Sequence, residues 1–279
     1  MKNHFDNVSY ECSKLVTQRY STSFTLGTRM LGIKHRKHIY NIYGFVRFAD
    51  EIVDSFHDFD KNDLLQRFEA DLFHAIKNKI SLNPILNSFQ HTFNENNIQK
   101  ELIDAFLKSM KMDLHKHKYS SKEEYQEYIY GSADVVGLMC LHVFVEGNMD
   151  EFNRLKSNAT SLGSAFQKVN FLRDLNSDFE LLDRTYFPNL NLSNFDEKSK
   201  ASIIKDIEKD FDHALKGIFM LPESSQLGVY TAYKYYKKLL IKLKKTPSKK
   251  IQSSRIRVPN YQKMGVLAQS YLKFHLNLL

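Results

Sequence analysis

Apolar residues recur three and four positions apart along almost the whole chain. Ile39, Ile42, Tyr43 and Val46 form one such set, Leu64, Leu65, Phe68, Leu72 and Ile76 a second, and Phe166, Val169, Phe171, Leu172 and Leu175 a third. This spacing gathers side chains on one face of an α-helix, whereas a half-buried strand alternates strictly. The best alternating run, Arg255-Ile256-Arg257-Val258, is short. Breaks fall at Gly32, Asn83-Pro84, Lys118–Ser121, Gly147-Asn148, Phe187–Asn194, Leu221-Pro222 and Thr246-Pro247. They predict roughly eight to ten helices of about 10–25 residues. No Gly/Ser or Pro linker and no repeat of solenoid period interrupts the pattern, so one all-α domain over residues 1–279 is expected.

Composition agrees with helices. The 279 residues hold only 10 Gly and 5 Pro, little material for the turns of a β-rich chain. Cys12 and Cys140 are far apart and read as small hydrophobes in a reducing compartment, not as a disulfide or metal site. The opening Met1–Asp6 has no apolar leader core, and no window reaches the length of a membrane span. A cytoplasmic enzyme is expected.

Charge adds one feature. The formal net charge is +8, and residues 234–273 contain no Asp or Glu while carrying Lys237, Lys238, Lys242, Lys244, Lys245, Lys249, Lys250, Arg255, Arg257 and Lys263. Such a stretch attracts polyphosphate, anionic lipid or nucleic acid, or is simply a solvated face. No zinc-finger spacing or aromatic–basic RNA-binding signature is present, so nucleic acid is not an expected partner. Peripheral contact with the inner face of a membrane is, helped by the apolar tail Leu272–Leu279.

The chemistry is carried by two segments. In Tyr43-Gly-Phe-Val-Arg47-Phe-Ala-Asp50-Glu-Ile-Val-Asp54, helical spacing puts Tyr43, Arg47, Asp50 and Asp54 on one face, with Phe45, Phe48, Ile52 and Val53 on another. In Gln167-Lys-Val-Asn170-Phe-Leu-Arg173-Asp174-Leu-Asn-Ser-Asp178, Gln167, Asn170, Asp174 and Asp178 share a face. Each segment therefore stacks two carboxylates one turn apart, about 5–6 Å between Cβ atoms, where they repel unless a cation lies close. Paired hard oxygen ligands suit Mg²⁺, with Mn²⁺ as the alternative, completed by water and phosphate oxygens. Arg47 and Arg173 can add charge-assisted hydrogen bonds to the same phosphate groups. The implied reaction is heterolysis of an allylic C–O bond with a diphosphate leaving group. One Asp-x-x-x-Asp is a common surface accident. Two, each in an apolar helix with an arginine and amides beside it, are not.

Ser21-Thr-Ser23-Phe24, the Tyr43–Asp54 segment, Met112-Asp-Leu114, Tyr130-Gly-Ser-Ala-Asp-Val-Val-Gly137, the Gln167–Asp174 segment with Asp178, and Arg184-Thr-Tyr-Phe-Pro188 resemble the squalene/phytoene synthases in order and spacing. The likeness is greatest to bacterial phytoene synthases. It implies an isoprenoid-synthase-type helical bundle around a central cavity. Asp50, Asp54, Asp174 and Asp178, with Asn170 assisting, would bind the metal and diphosphate. Ser21, Ser23, Tyr43, Arg47, Gln167 and Arg173 would line the diphosphate sites. Tyr130, as a catalytic residue, and the small residues to Gly137 would wall the cavity near the reacting carbons; close helix packing explains those glycines equally well. Arg184 and Tyr186 would sit near the cavity mouth. Arg255 would be a late phosphate contact and Tyr236 a late active-site tyrosine, with Tyr233 and Tyr235 competing for that place.

The function implied is condensation of two geranylgeranyl diphosphates to phytoene through a cyclopropylcarbinyl diphosphate, with no NADPH expected. Squalene or dehydrosqualene synthesis from two farnesyl diphosphates is the alternative within the family. A non-catalytic helical protein that binds membranes or a partner is the alternative outside it, and the intact Asp motifs argue against it. Thr28, on a face with Phe24 and Leu31, is a candidate gauge of prenyl length, since a small residue there would leave room for a C20 chain.

Overall fold

The computed structural model describes residues 1–116, 118–182, 184–188, 190 and 194–276. Among these the chain forms thirteen α-helices and one π-helical turn. They are α1 (Lys2–Tyr20), α2 (Thr22–Arg29), α3 (Ile33–Ser55), α4 (Lys61–Asn78), α5 (Pro84–Glu95), α6 (Lys100–His115), α7 (Lys122–Ile129), the π turn (Tyr130–Asp134), α8 (Val135–Phe144), α9 (Met149–Leu182), α10 (Glu197–Ile218), α11 (Glu223–Lys245), α12 (Ser248–Ile251) and α13 (Asn260–His275).

The expected breaks separate helices in the structure. Asn83 caps α5 through Ile85 N at 3.0 Å with Pro84 at the first helical position, where its missing N–H costs nothing. Gly147 takes φ +74° after α8. The helix count exceeds the expected range because some interruptions lack Gly and Pro. Asp60 caps α4 through Asp63 N at 3.1 Å, and Asn97 supplies a φ of 50° between α5 and α6. Conversely, α9 runs for 34 residues through Gly163, because that glycine admits the Ala133 carbonyl, 2.9 Å from where a Cβ would stand. Arg255–Val258 has alternating burial, Ile256 in and Arg255 and Arg257 out, but it forms no backbone ladder among the described residues and is not a strand. Period two was real there; a neighbour to complete a ladder was missing.

Helix α8, apolar on every side, runs through the middle and packs on α3, α6 and α9. A fully buried Phe45 on α3 stacks on Phe89 of α5 at 4.1 Å and tilts against Phe106 of α6 at 5.2 Å, contacts whose loss typically costs about 3–5 kcal/mol. Within this packed interior, Ser132, Ala133, Val136, Gly137 and Cys140 stay half-buried along one side of the π turn and α8. Burial nevertheless pushes the Cys140 thiol up to about 12. Two outer hollows, about 400 Å³ against His4, Val8, Cys12 and Leu15 and about 430 Å³ against Lys2, Lys79 and His91, contain none of the motif residues. No helix among the described residues is long and apolar enough to cross a membrane.

Candidate active site

The first motif forms as its spacing requires. On α3, Phe45, Ala49, Ile52 and Val53 are buried, while Tyr43, Arg47, Asp50 and Asp54 are half-buried on another face. Arg47 pairs with Glu51 and lies over the Tyr20 ring at 4.4 Å. Its Nε is buried without a hydrogen-bond partner. Tyr43 packs on Phe24 of α2, ring centroids 4.7 Å apart. Ser21 serves as N-cap of α2, accepting from Phe24 N at 3.2 Å, and also reaches the Tyr43 hydroxyl. Ser23 is half-buried in the first turn of α2.

On α9, Gln167, Asn170, Arg173, Asp174 and Asp178 are all half-buried. Gln167 Nε2 donates to Ser132 Oγ of the π turn at 3.3 Å. Arg173 Nε donates to Asp174 Oδ1 at 2.9 Å, and Arg255 Nε approaches the same oxygen at 2.7 Å. The 255–258 segment thereby places Arg255 beside the second motif. Tyr236 of α11 stacks on Phe166 of α9 at 3.9 Å and lies near enough to Arg173 and Tyr43 for their charges to couple. Of its competitors, Tyr233 meets Phe211 of α10 edge-on at 5.3 Å and Tyr235 is buried with its hydroxyl unpartnered.

The two motifs face each other across the interior, and their electrostatics show it. Asp50 is pushed up to about 8 by burial first and then by Asp54, against the pull of Arg47. Asp178 is pushed up to about 7 by burial, then by Asp174 of its own helix and Asp54 of the opposite one. Burial raises Tyr43 to about 12. Arg184 bridges the gap, its Nη1 donating to Asp54 Oδ1 at 2.7 Å.

Among the described residues, no three His, Cys, Asp or Glu converge tightly enough to hold a metal ion unaided. The donor set fits Mg²⁺ in another way. Each motif offers a carboxylate pair, the usual protein share of a site completed by water and phosphate. Asn170 Oδ1 is buried with no hydrogen-bond partner among the described residues, an acceptor whose desolvation goes unrewarded. Arg47 Nε is the matching orphan donor.

Tyr130 is placed differently from the rest. It is 40% exposed at the start of the π turn and takes no part in the hydrogen bonds of this cluster. Tyr128 and Gly131, three apart, share the face packed toward α6, where a Cβ on Gly131 would stand 2.6 Å from the Ala105 carbonyl. Tyr128 is buried, stacked on Tyr186 at 5.3 Å and donating to Asp113 Oδ2 at 2.9 Å. Thr28 is 3% exposed with its hydroxyl bonded to Phe24 O, and Leu31 packs on Gly228. Along this face Phe24 packs on Tyr43 of α3 and Leu31 on α11. Sequence reasoning also passed over Lys61, whose Nζ donates to Val53 O at 2.9 Å beside Asp54, and gave Asp113 no role. A buried acid at the end of an otherwise apolar stripe was the available signal for Asp113.

Residues 17–262 match the family described as Squalene/phytoene synthase. The chain is 27% identical to a phytoene synthase of Arthrospira platensis, over 95% of this chain and 93% of that one. It is 26% identical to a 15-cis-phytoene synthase of Synechocystis sp., over 95% and 85%. A dehydrosqualene synthase crystallised with a ligand superposes with a TM-score of 0.82 over 96% of this chain and 98% of that one, at 20% identity.

Proposed function

The chain belongs to the squalene/phytoene synthase family and is a prenyltransferase-type enzyme, and on that premise we propose that it joins two geranylgeranyl diphosphates head to head (1'-1) to give phytoene, a step of carotenoid biosynthesis. The observation that carries the chemistry is the pair of facing carboxylate motifs, with Asn170 Oδ1 and Arg47 Nε left unpartnered between apolar walls. Asp50, Asp54, Asn170, Asp174 and Asp178 would hold Mg²⁺ with a substrate diphosphate. When bound, the metal supplies the positive charge that a departing diphosphate needs. Arg47, Arg173, Arg255, Tyr43, Gln167, Ser21 and Ser23 present donors around the same space. The C–O bond of one substrate breaks as the diphosphate leaves. The second substrate's double bond attacks the allylic cation, and loss of a proton closes the ring of the cyclopropylcarbinyl diphosphate; departure of its diphosphate, rearrangement and loss of a second proton then give phytoene. The Phe166–Tyr236 stack offers a π face to such cations, and the α8 wall keeps water out.

The C40 product is supported by the names of the bacterial relatives. Squalene or dehydrosqualene synthesis from farnesyl diphosphate would use the same carboxylates, and it is the second reading because a dehydrosqualene synthase shares the fold so closely. Incubation of the purified chain and Mg²⁺ with each prenyl diphosphate, with and without NADPH, separates the two by mass spectrometry. Phytoene from geranylgeranyl diphosphate without reductant is expected. A C30 product made in preference, or a need for NADPH, overturns the C40 assignment.

Contact with a membrane surface belongs to the same proposal. On α13, Tyr261, Met264, Leu272 and Leu276 are exposed at 74%, 53%, 58% and 63%, and their spacing puts them along one face. Lys234, Lys237, Lys238 and Lys273 gather beside it at α11, although Glu208 and Asp212 of α10 offset Lys244 and Lys237. The last residues of the apolar tail, 277–279, lie outside the described residues. Co-sedimentation with vesicles containing phosphatidylglycerol is expected and should weaken with salt. Equal partition onto neutral vesicles at every salt concentration would leave this face an ordinary solvated one.

A further inference from the structure

We propose that Asp113 is a positioning residue that holds Arg184 in place between the two aspartate motifs, so that the guanidinium stays fixed when Asp54 is drawn to another ligand. The proposal rests on the reading of the site as one for Mg²⁺ and diphosphate, and it assigns Asp113 a task that neither motif supplies.

Arg184 is 5% exposed and anchored on three elements at once. Its backbone N donates to Asp178 O at 2.9 Å, tying it to the second motif. Its Nη1 donates to Asp54 Oδ1 at 2.7 Å, reaching the first motif. Its Nη2 donates to the Asp113 backbone carbonyl at 2.9 Å. That carbonyl lies in the last turn of α6, where the final four C=O groups lack helical partners and a cation is favoured. The segment around it is fixed by Tyr119 N donating to Thr185 O at 3.3 Å.

The Asp113 side chain completes this arrangement from beneath. It is 5% exposed, its Oδ2 accepts from Tyr128 OH at 2.9 Å, and its Oδ1 lies 3.7 Å from Arg184 Nη1. Tyr128 is itself clamped in an aromatic stack with Tyr119, Phe171 and Tyr186, so the carboxylate has one orientation. The guanidinium therefore sits between two carboxylates with different freedom. Asp54 is half-accessible and in the metal-binding motif; Asp113 is buried and held. A ligand that takes Asp54 would otherwise strand a buried cation, which is strongly unfavourable. With Asp113 behind it, Arg184 remains compensated, and Nη1, left with only a long 3.5 Å contact to Tyr186 OH, offers a donor beside Nε, which has no partner among the described residues. Both are then available to a phosphate oxygen arriving between the motifs. Asp113 touches no substrate in this account; it acts through Arg184.

The test uses the purified full chain, with inorganic pyrophosphate and Mg²⁺ as the ligand and isothermal titration as the readout, beside kcat and KM with geranylgeranyl diphosphate. Asp113→Asn keeps the shape and removes the charge. Its Mg²⁺-dependent pyrophosphate affinity is expected to fall about 10- to 100-fold, the range for loss of a charged hydrogen-bonded partner. In an Arg184→Gln background the same change should cost less than about threefold more, because two residues acting through one group are not additive. Tyr128→Phe, which frees the Asp113 carboxylate without removing it, should weaken pyrophosphate binding in the same direction by less, and it stands in if Asp113→Asn fails to fold. An Asp113→Asn affinity within about twofold of wild type, or the full loss persisting in the Arg184→Gln background, overturns the role of Asp113 alone. Wild type that binds no pyrophosphate with Mg²⁺ overturns the site reading along with it.

Discussion

Asp50→Asn is expected to reduce turnover by about 100-fold or more while leaving the protein at least as heat-stable as wild type. Stability and activity part company here for a physical reason. Asp50 is deep in the bundle, and burial and Asp54 already push its carboxyl up to about 8, so near neutral pH the ligand-free chain holds it largely protonated. An amide mimics that neutral form and relieves the repulsion within the pair, but it cannot serve as an anionic metal ligand. Asp174→Asn should lose activity on the same scale and behave oppositely in a melt. Asp174 is paired with Arg173 and Arg255, so its loss leaves two guanidinium groups without their carboxylate and should lower the melting midpoint. Steady-state kinetics at saturating Mg²⁺, read beside thermal melts of both variants, decide the matter. Near-wild-type turnover in either variant would remove the carboxylates from the metal assignment.

In chelator, the metal-free chain should become less stable as pH rises from 6.5 to 8.5, and Mg²⁺ with pyrophosphate should restore it most at the alkaline end. Asp50 is raised to about 8, and Asp178 and Asp134 to about 7, all from 3.8. Burial is the first cause in each case. A carboxyl raised in the folded state binds a proton that the unfolded chain has already released, so folding stability drops as pH climbs through the folded-state value. His38 and His142 are held down to about 4 by burial and give the opposite slope, which has faded by about one pH unit above the 6.5 of a free imidazole. The window above it therefore reports the carboxyls. The expected loss is about 1–2 kcal/mol after allowance for the solvent that reaches the half-buried groups, or several degrees in midpoint. Melts at both pH values, with chelator and with Mg²⁺–pyrophosphate, measure it. A chelated midpoint that rises across the window would mean that these acids are ionised and paired in the folded chain.

Local order was legible in the residues themselves. Helical periodicity, scarce Gly and Pro, and caps such as Asn83-Pro84 act within a few residues, so the all-α architecture and the main breaks followed from sequence. The faces of α3 and α9 followed too, because i, i+4 geometry alone puts Asp50 with Asp54 and Asp174 with Asp178. Where helix ends depended on Asp60 or Asn97 instead of Gly or Pro, the pattern was silent, since both residue types also sit comfortably inside or beside helices.

Only the tertiary structure decided what those faces meet. That the motifs oppose each other is a matter of α3 and α9 both packing on α8, a relation between residues more than a hundred positions apart. The same is true of Arg255, brought to Asp174 by a segment that looked like a strand but forms no ladder among the described residues. Tyr128 and Tyr130 are two residues apart, and the close approach of Gly131 to α6 goes with burial of the first and exposure of the second. Thr28, a small residue in a helical projection, is buried with its hydroxyl turned back to Phe24 O, and the neighbour of its helix, α11, is not written in the local pattern. Asp113 is the extreme case. Its partners Arg184 and Tyr128 come from two other segments; the end of an apolar stripe on α6 marks the acid, but only the fold supplies the counter-charge that lets it stay buried.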